Sequence, residues 1–166
     1  MTLAAVDPPS EPEGRNAFDF LHGHWVVGHR QLKARHVGSD AWRTYEGTAY
    51  CEPRLGGMAN VEEHCFAGRG GDRGMALRLY EPATGEWSVY WASDRDGVLA
   101  PPVRGRFDGP GCVLEGDDID DGRPIRQRYV WSKTDTAEPQ WEQAFSLDGG
   151  RTWETNWVMT FRRAEA

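Results

Sequence analysis

Basic charge is scarce in this chain: 19 lysines and arginines stand against 26 acids in 166 residues, a formal net charge of −7. Nucleic acid and anionic membrane surfaces are thereby disfavoured as partners, because phosphate binding needs a basic face. No apolar run approaches the roughly 20 residues of a membrane span. Cysteine is rare too. Cys51, Cys65 and Cys112 are an odd number with no CxxC pair, which reads as reduced thiols in a cytoplasmic protein. The start of the chain lacks the basic region and apolar core of a signal peptide, and its prolines and acids predict a disordered leader over 1–15. Beyond Trp25 no segment keeps a helical period, so a parallel α/β sheet is disfavoured. There is no P-loop, nucleophile elbow or strand-linked G-x-G-x-x-G, so neither covalent catalysis nor a nucleotide cofactor is expected. His22, His24 and His29 lie close together, but the usual ligand spacings are missing and no metal is expected.

Tryptophan is what the chain has in abundance. The eight are Trp25, Trp42, Trp87, Trp91, Trp131, Trp141, Trp153 and Trp157. Residues two or four apart on a strand share a face, so Trp87 with Trp91, and Trp153 with Trp157, each line one side of a strand. A small sheet needs that much aromatic surface on one side only if it wraps around an interior.

Alternation and turn sequences predict strands near 23–35, 42–52, 57–66, 74–81, 86–93, 103–108, 111–117, 124–133, 139–147 and 152–163. Tight turns such as Ala83-Thr84-Gly85 and Asp121-Gly122 join them. A short helical turn over 16–21 precedes them as a plug. The fold expected is all-β: an up-and-down antiparallel β-barrel of about ten strands formed by one domain, 16–166. Left open, such a sheet would expose two edges; closure removes both. A barrel of that size is too wide for side chains alone to fill. The acids Asp117, Asp118, Asp120 and Asp121 read as a solvated hairpin tip. Ser146-Leu147-Asp148-Gly149-Gly150-Arg151-Thr152-Trp153 fits the S-x-D-x-G-x-T-W pattern of sialidase propellers. Here it reads as a hairpin staple, since a propeller repeats the motif in a longer chain.

Gly23-His24-Trp25 at the start of the first strand is similar to the Gly-x-Trp signature of the lipocalin and fatty-acid-binding (calycin) barrels. That resemblance implies that Trp25 closes the barrel floor with Arg162 or Arg163 packed across it. The segments Phe18 to Trp25, Leu55 to Glu63, Leu79 to Gly97 and Phe145 to Trp157 resemble a family of small bacterial calycin-like proteins that carries only a domain-of-unknown-function label. Nitrobindin, a ten-stranded haem barrel, is a more distant relative by type. Its haem is held by a late histidine, and here no histidine follows His64. No cofactor is therefore expected.

If Trp25 points inward, parity brings Val27, His29 and Gln31 with it. The same reading places Trp42, Thr44, Glu46 and Thr48 on one inner face, and Asn60, Glu62 and His64 on another. Gln127, Tyr129 and Trp131 form a further set, as do Trp141, Gln143 and Phe145. The rival parity, with Glu63 inward in place of Glu62, stays open. Aromatics mixed with polar groups describe a lumen that holds a ligand. The expected ligand-binding set is His29, Trp42, Trp87, Trp91, Gln127, Tyr129, Trp131, Trp141, Gln143 and Trp157, taking a small, largely apolar or aromatic molecule. The alternative is a cofactor-free cyclase, isomerase or hydratase that uses Glu46, Glu62 and His64 for acid–base chemistry. The sequence leaves a homodimer open.

Overall fold

The computed structural model describes residues 14–165; of the leader expected over 1–15, residues 1–13 lie outside the described residues. Ten strands follow one another: β1 (Gly23–Leu32), β2 (Trp42–Arg54), β3 (Ala59–Phe66), β4 (Asp72–Glu81), β5 (Glu86–Ser93), β6 (Val103–Phe107), β7 (Cys112–Asp120), β8 (Arg123–Ser132), β9 (Gln140–Ser146) and β10 (Glu154–Arg163). Each pairs antiparallel with its neighbour in sequence, and β1 pairs with β10 to close the barrel. Among the described residues the only helical pieces are 3-10 turns at Asp19–Leu21, Leu55–Gly57 and Ala67–Arg69. None is long and apolar enough to cross a membrane.

Most strand ends fall close to the expected ones, and two differences have local causes. β3 begins at Ala59 because Leu55–Gly57 coils into a 3-10 turn, with Leu55 and both glycines at positive φ. β7 runs on to Asp120, so much of the acidic run is strand. Only Asp121-Gly122 forms the tip, with both residues at positive φ as a two-residue hairpin requires.

β1 runs from the floor of the barrel to its mouth. The floor is sealed by the segment before β1. Phe18 is fully buried and meets Trp87, Phe107 and Trp131 edge-on, with ring centroids 5.0, 4.8 and 6.1 Å away. The indole of Trp87 donates to the Gly14 carbonyl at 3.0 Å. Arg15 donates to the Gly56 carbonyl. Gly14 and Arg15 therefore belong to the floor.

Trp25 is buried, and its indole N–H donates to the Leu21 carbonyl at 2.7 Å. The Arg163 guanidinium lies 3.8 Å from the ring centroid of Trp25 and donates to the Phe20 and His22 carbonyls. One arginine thus covers the indole and satisfies the carbonyls of the 3-10 turn, which has few internal partners of its own. Its neighbour Arg162 points outward instead, to Glu46.

Truncating a buried Trp costs about 3–5 kcal/mol, and the cation–π contact adds about 1 kcal/mol. Trp25→Ala should lower the melting temperature by about 10 °C or more at this chain length, and Trp91→Ala, in the lumen wall, by less. Calorimetry of the two variants checks the ranking; the reverse order would remove Trp25 from its floor role.

Candidate functional site

Between the floor and the mouth the lumen keeps a cavity lined by His64, Ala76, Arg78, Val89, Trp91, Tyr129, Trp131, Trp141, Gln143, Trp157 and Met159. Between these side chains the centres of water-sized molecules can occupy about 50 Å³. The walls are largely indole. Trp157 meets Trp91 and Trp141 edge-on, with centroids 6.4 and 5.6 Å away, and Tyr129 stands 5.0 Å from Trp141. Gly74 makes room for this arrangement, since a Cβ there would lie 2.2 Å from the Trp91 ring.

One side of the cavity is charged. Arg78, on β4, donates to Asn60 Oδ1 at 3.0 Å and to Glu62 Oε2. His64 Nε2 lies 2.9 Å from Glu62 Oε1. All four side chains are buried. Burial alone would raise the pKa of Glu62, but the Arg78 guanidinium and His64 outweigh it and hold the carboxyl down at about 2. Glu62 is thus a carboxylate that orients both neighbours. Arg78 Nε and His64 Nδ1 are buried with no protein partner, and both residues line the cavity. Buried polar atoms of this kind need a ligand or water.

Nearer the mouth, His29 stacks on Tyr45 at 4.6 Å and accepts the Trp157 indole N–H on Nδ1 at 3.1 Å. Burial first, then the charges of His64 and Arg69, push its pKa from 6.5 down to about 3. Its other nitrogen faces the wall, where a Cβ on Gly47 would come within 3.1 Å. The mouth itself is crossed by the β1–β2 loop. Arg35 donates two hydrogen bonds to Asp120 of β7 (2.9 and 2.7 Å), and His36 Nε2 lies 2.7 Å from the same carboxylate. The His36 amide donates to Glu154 Oε1 at 2.9 Å, and its ring stacks on Phe145. The loop thus spans from β1 to a strand four places around the barrel.

The expected site residues divide into three groups. Glu62, His64, Trp91, Tyr129, Trp131, Trp141, Gln143 and Trp157 stand together around one cavity or its charged edge. His29, Trp87 and Gln127 point inward but away from it. His29 is in the rim above, Trp87 is locked into the floor, and Gln127 bonds Asp118 at 3.4 Å near the mouth.

Glu46 and Trp42 are corrections: both lie on the outer face. The β1–β2 register pairs inward His29 with Tyr45 and inward Trp25 with Ala49. Directly opposed residues share a face, so Tyr45, Gly47, Ala49 and Cys51 point in, and Thr44, Glu46 and Thr48 point out. Glu46 is 67% exposed and pairs with Arg162 at 3.1 Å; Trp42 is covered outside by Arg30 at 4.1 Å. On β3 the choice falls on Glu62, because Glu63 is exposed and pairs with Arg73.

Arg78 is the residue that the sequence reading missed. Its parity with Ala76 and Tyr80, both buried, was the available signal. The S-x-D-x-G-x-T-W segment is the staple expected. Ser146 Oγ donates to Asp148 Oδ1 at 2.7 Å, the Asp148 carboxylate accepts the Arg151 and Thr152 amides and the Thr152 hydroxyl, and Ser146 Oγ accepts the Gly150 amide. These bonds hold the Asp148 acid well below the ordinary carboxylate range.

A pH dependence follows from the two buried groups. Unfolded His29 takes a proton near 6.5 and folded His29 resists until about 3, so its share of stability is lost as pH falls across that window. Folded Glu62 stays ionised down to about 2 against an ordinary 4.5, so its share is present above 4.5 and lost below it. In urea melts between pH 6.5 and 4.5, wild type should lose up to about 1.4 kcal/mol per pH unit more than His29→Gln. Parallel curves for the two proteins would show that His29 is protonated in the fold.

No family model and no curated protein matches the chain. Among solved structures it is similar to the one described as "Crystal Structure of Rv2717c from M. tuberculosis": 12% of residues are identical over 92% of this chain and 98% of that one, with a TM-score of 0.59. At that identity the likeness is one of fold: a closed ten-stranded antiparallel barrel consistent with the calycin type.

Proposed function

We propose that this barrel is a calycin-type container that binds a small, flat, largely aromatic molecule carrying one polar group. The observation that supports this most is the pairing, in one cavity, of indole walls with two buried polar atoms that lack a protein partner, Arg78 Nε and His64 Nδ1. An apolar core would have filled that space with aliphatic side chains and would hold no arginine. A ligand whose ring lies among Trp91, Trp141 and Trp157, with a carbonyl or hydroxyl toward Arg78 and His64, answers both features. The space is modest, so the ligand is closer to one or two fused rings than to a long chain. The same reading places the protein in the cytoplasm, with its three cysteines as free thiols.

A second reading rests on the Glu62–His64 contact. A carboxylate fixing one imidazole nitrogen while the other has no protein partner is how an acid–base histidine is oriented. In that reading His64 moves a proton on the bound molecule, Glu62 positions it, and Glu46, out on the surface, has no part.

The lumen reading is tested with naphthol, a neutral aromatic alcohol, by following the quenching of tryptophan emission. Wild type should show a saturable response, and Trp91→Ala and Arg78→Met should each weaken it by about tenfold. A linear response with no saturation in wild type, or equal affinity in all three proteins, would sink the container reading. Any turnover of a bound compound that is lost in His64→Ala and reduced in Glu62→Gln, with affinity retained, would favour the second reading.

A further inference from the structure

Three guanidinium groups, those of Arg43, Arg69 and Arg95, gather on one side of the mouth, and among the described residues Asp72 is the one carboxylate that pairs with any of them. Arg43 Nη2 donates to Gln31 Oε1 at 2.8 Å, Arg69 Nη1 reaches the same oxygen at 3.3 Å, and the Tyr45 hydroxyl donates to it at 3.1 Å. Three donors thus converge on one neutral amide oxygen. The carboxylate in reach is Asp72, 3.5 Å from Arg69 and already held by two bonds from Arg95. Among the described residues Arg43 makes no ion pair; its charge is met only by Gln31 and, at 5.8 Å, the face of Tyr45.

The surroundings sharpen the imbalance. Arg69 is only 14% exposed and lies 4.5 Å from the Phe66 ring centroid and 5.9 Å from those of Tyr45 and Trp157. Its Nε is buried with no partner. Burial raises the pKa of Tyr45, and the charges that pull against it are Arg69, Arg43 and Arg95, all cations. Like charges this close repel, more so where protein displaces water. They are stable together when an anion lies between them. In a chain of net charge −7, such a local cationic excess is against the overall balance.

We propose that Arg43, Arg69 and Tyr45 form an oxyanion-binding site at the mouth of the barrel. Its ligand group is a carboxylate or a phosphate, taken up by the two guanidiniums in place of Gln31 Oε1. Arginine suits this because its planar fork presents paired N–H groups to two oxygens at once. The Phe66 ring, 4.5 Å from the Arg69 guanidinium, packs against the fork. The site lies above the lumen cavity, beyond Phe66 and Trp157, so it stands or falls separately from the container reading.

The test uses benzoate, inorganic phosphate and benzamide, the last a neutral counterpart of benzoate, at constant ionic strength. Tryptophan emission and melting temperature are followed in wild type, Arg43→Gln, Arg69→Gln and Arg69→Lys, with circular dichroism confirming that each variant is folded. Benzoate or phosphate should give a saturable response in wild type that both glutamine variants weaken, while any response to benzamide, which the lumen can take, should be the same in all four proteins. Affinity should fall about tenfold or more in Arg43→Gln and Arg69→Gln, and Arg69→Lys should recover part of the loss. Saturation by benzoate alone identifies a carboxylate site, and saturation by phosphate alone or by both identifies a phosphate or general oxyanion site; each supports the proposal. It is overturned if neither anion saturates, if the glutamine variants weaken benzamide as much as benzoate, or if both glutamine variants keep anion affinity within about twofold of wild type. Arg43→Gln changes an exposed side chain, so it remains informative even if Arg69→Gln does not fold.

Discussion

Closure is the constraint from which the rest of this structure follows. β1 must pair with β2 on one side and β10 on the other, and that double pairing fixes which residues face inward on all three strands. Trp25 lies opposite Arg163 in one ladder and Ala49 in the other, and Gln31 lies opposite Trp157 and Arg43. The floor, the rim histidine and the arginine cluster are consequences of these registers. A one-residue slip in any of them would turn the inner set outward, so the indoles and the buried charges both depend on it.

Closure also creates the problem that the lumen solves. Ten strands enclose more space than their aliphatic side chains would fill. This chain fills the lower part with Phe18, Trp87, Phe107 and Trp131, and the upper part with His29, Phe66 and Tyr45. What remains is a cavity between two packed layers, with Arg78, Glu62 and His64 along one side. A buried ion pair seldom adds to stability over a well-packed apolar replacement, because desolvation offsets the attraction. The pair holds a guanidinium and an imidazole at fixed positions facing a space otherwise walled by aromatic rings.

Much of this could be read from the residues. Alternation and turn chemistry located all ten strands because each strand has one wet and one dry face, and that contrast is written locally. The resemblance carried by the Gly23-His24-Trp25 start implied a floor closed by Trp25 with Arg162 or Arg163, and Arg163 occupies it. On β3 the choice between Glu62 and Glu63 stayed open, while the inner sets on β1, β8 and β9 were legible because an aromatic marked the parity. β2 was not. Its outer face carries Trp42, and its inner face includes Ala49 and Gly47, where Cys65 of β3 and the His29 ring press close. A bulky residue outside and small ones inside reverse the usual signal. Arg78 was hidden for a related reason: an arginine in an alternating strand reads as solvent-facing unless its anion is known to be opposite.

By itself the sequence determined the class of fold, the number and direction of the strands, the hairpin staple at Ser146–Trp153 and the mixed aromatic and polar character of the interior. These are properties of periodicity and turn geometry, which act over a few residues. Tertiary structure alone decided which carboxylate is buried, which histidine touches it and which arginines share an oxygen. Asn60, Glu62 and His64 come from β3 and Arg78 from β4, while the cluster at the mouth joins β1, β2 and the 3-10 turn at Ala67–Arg69. Such meetings depend on register between strands and on where the barrel closes, and no local pattern along the chain encodes either.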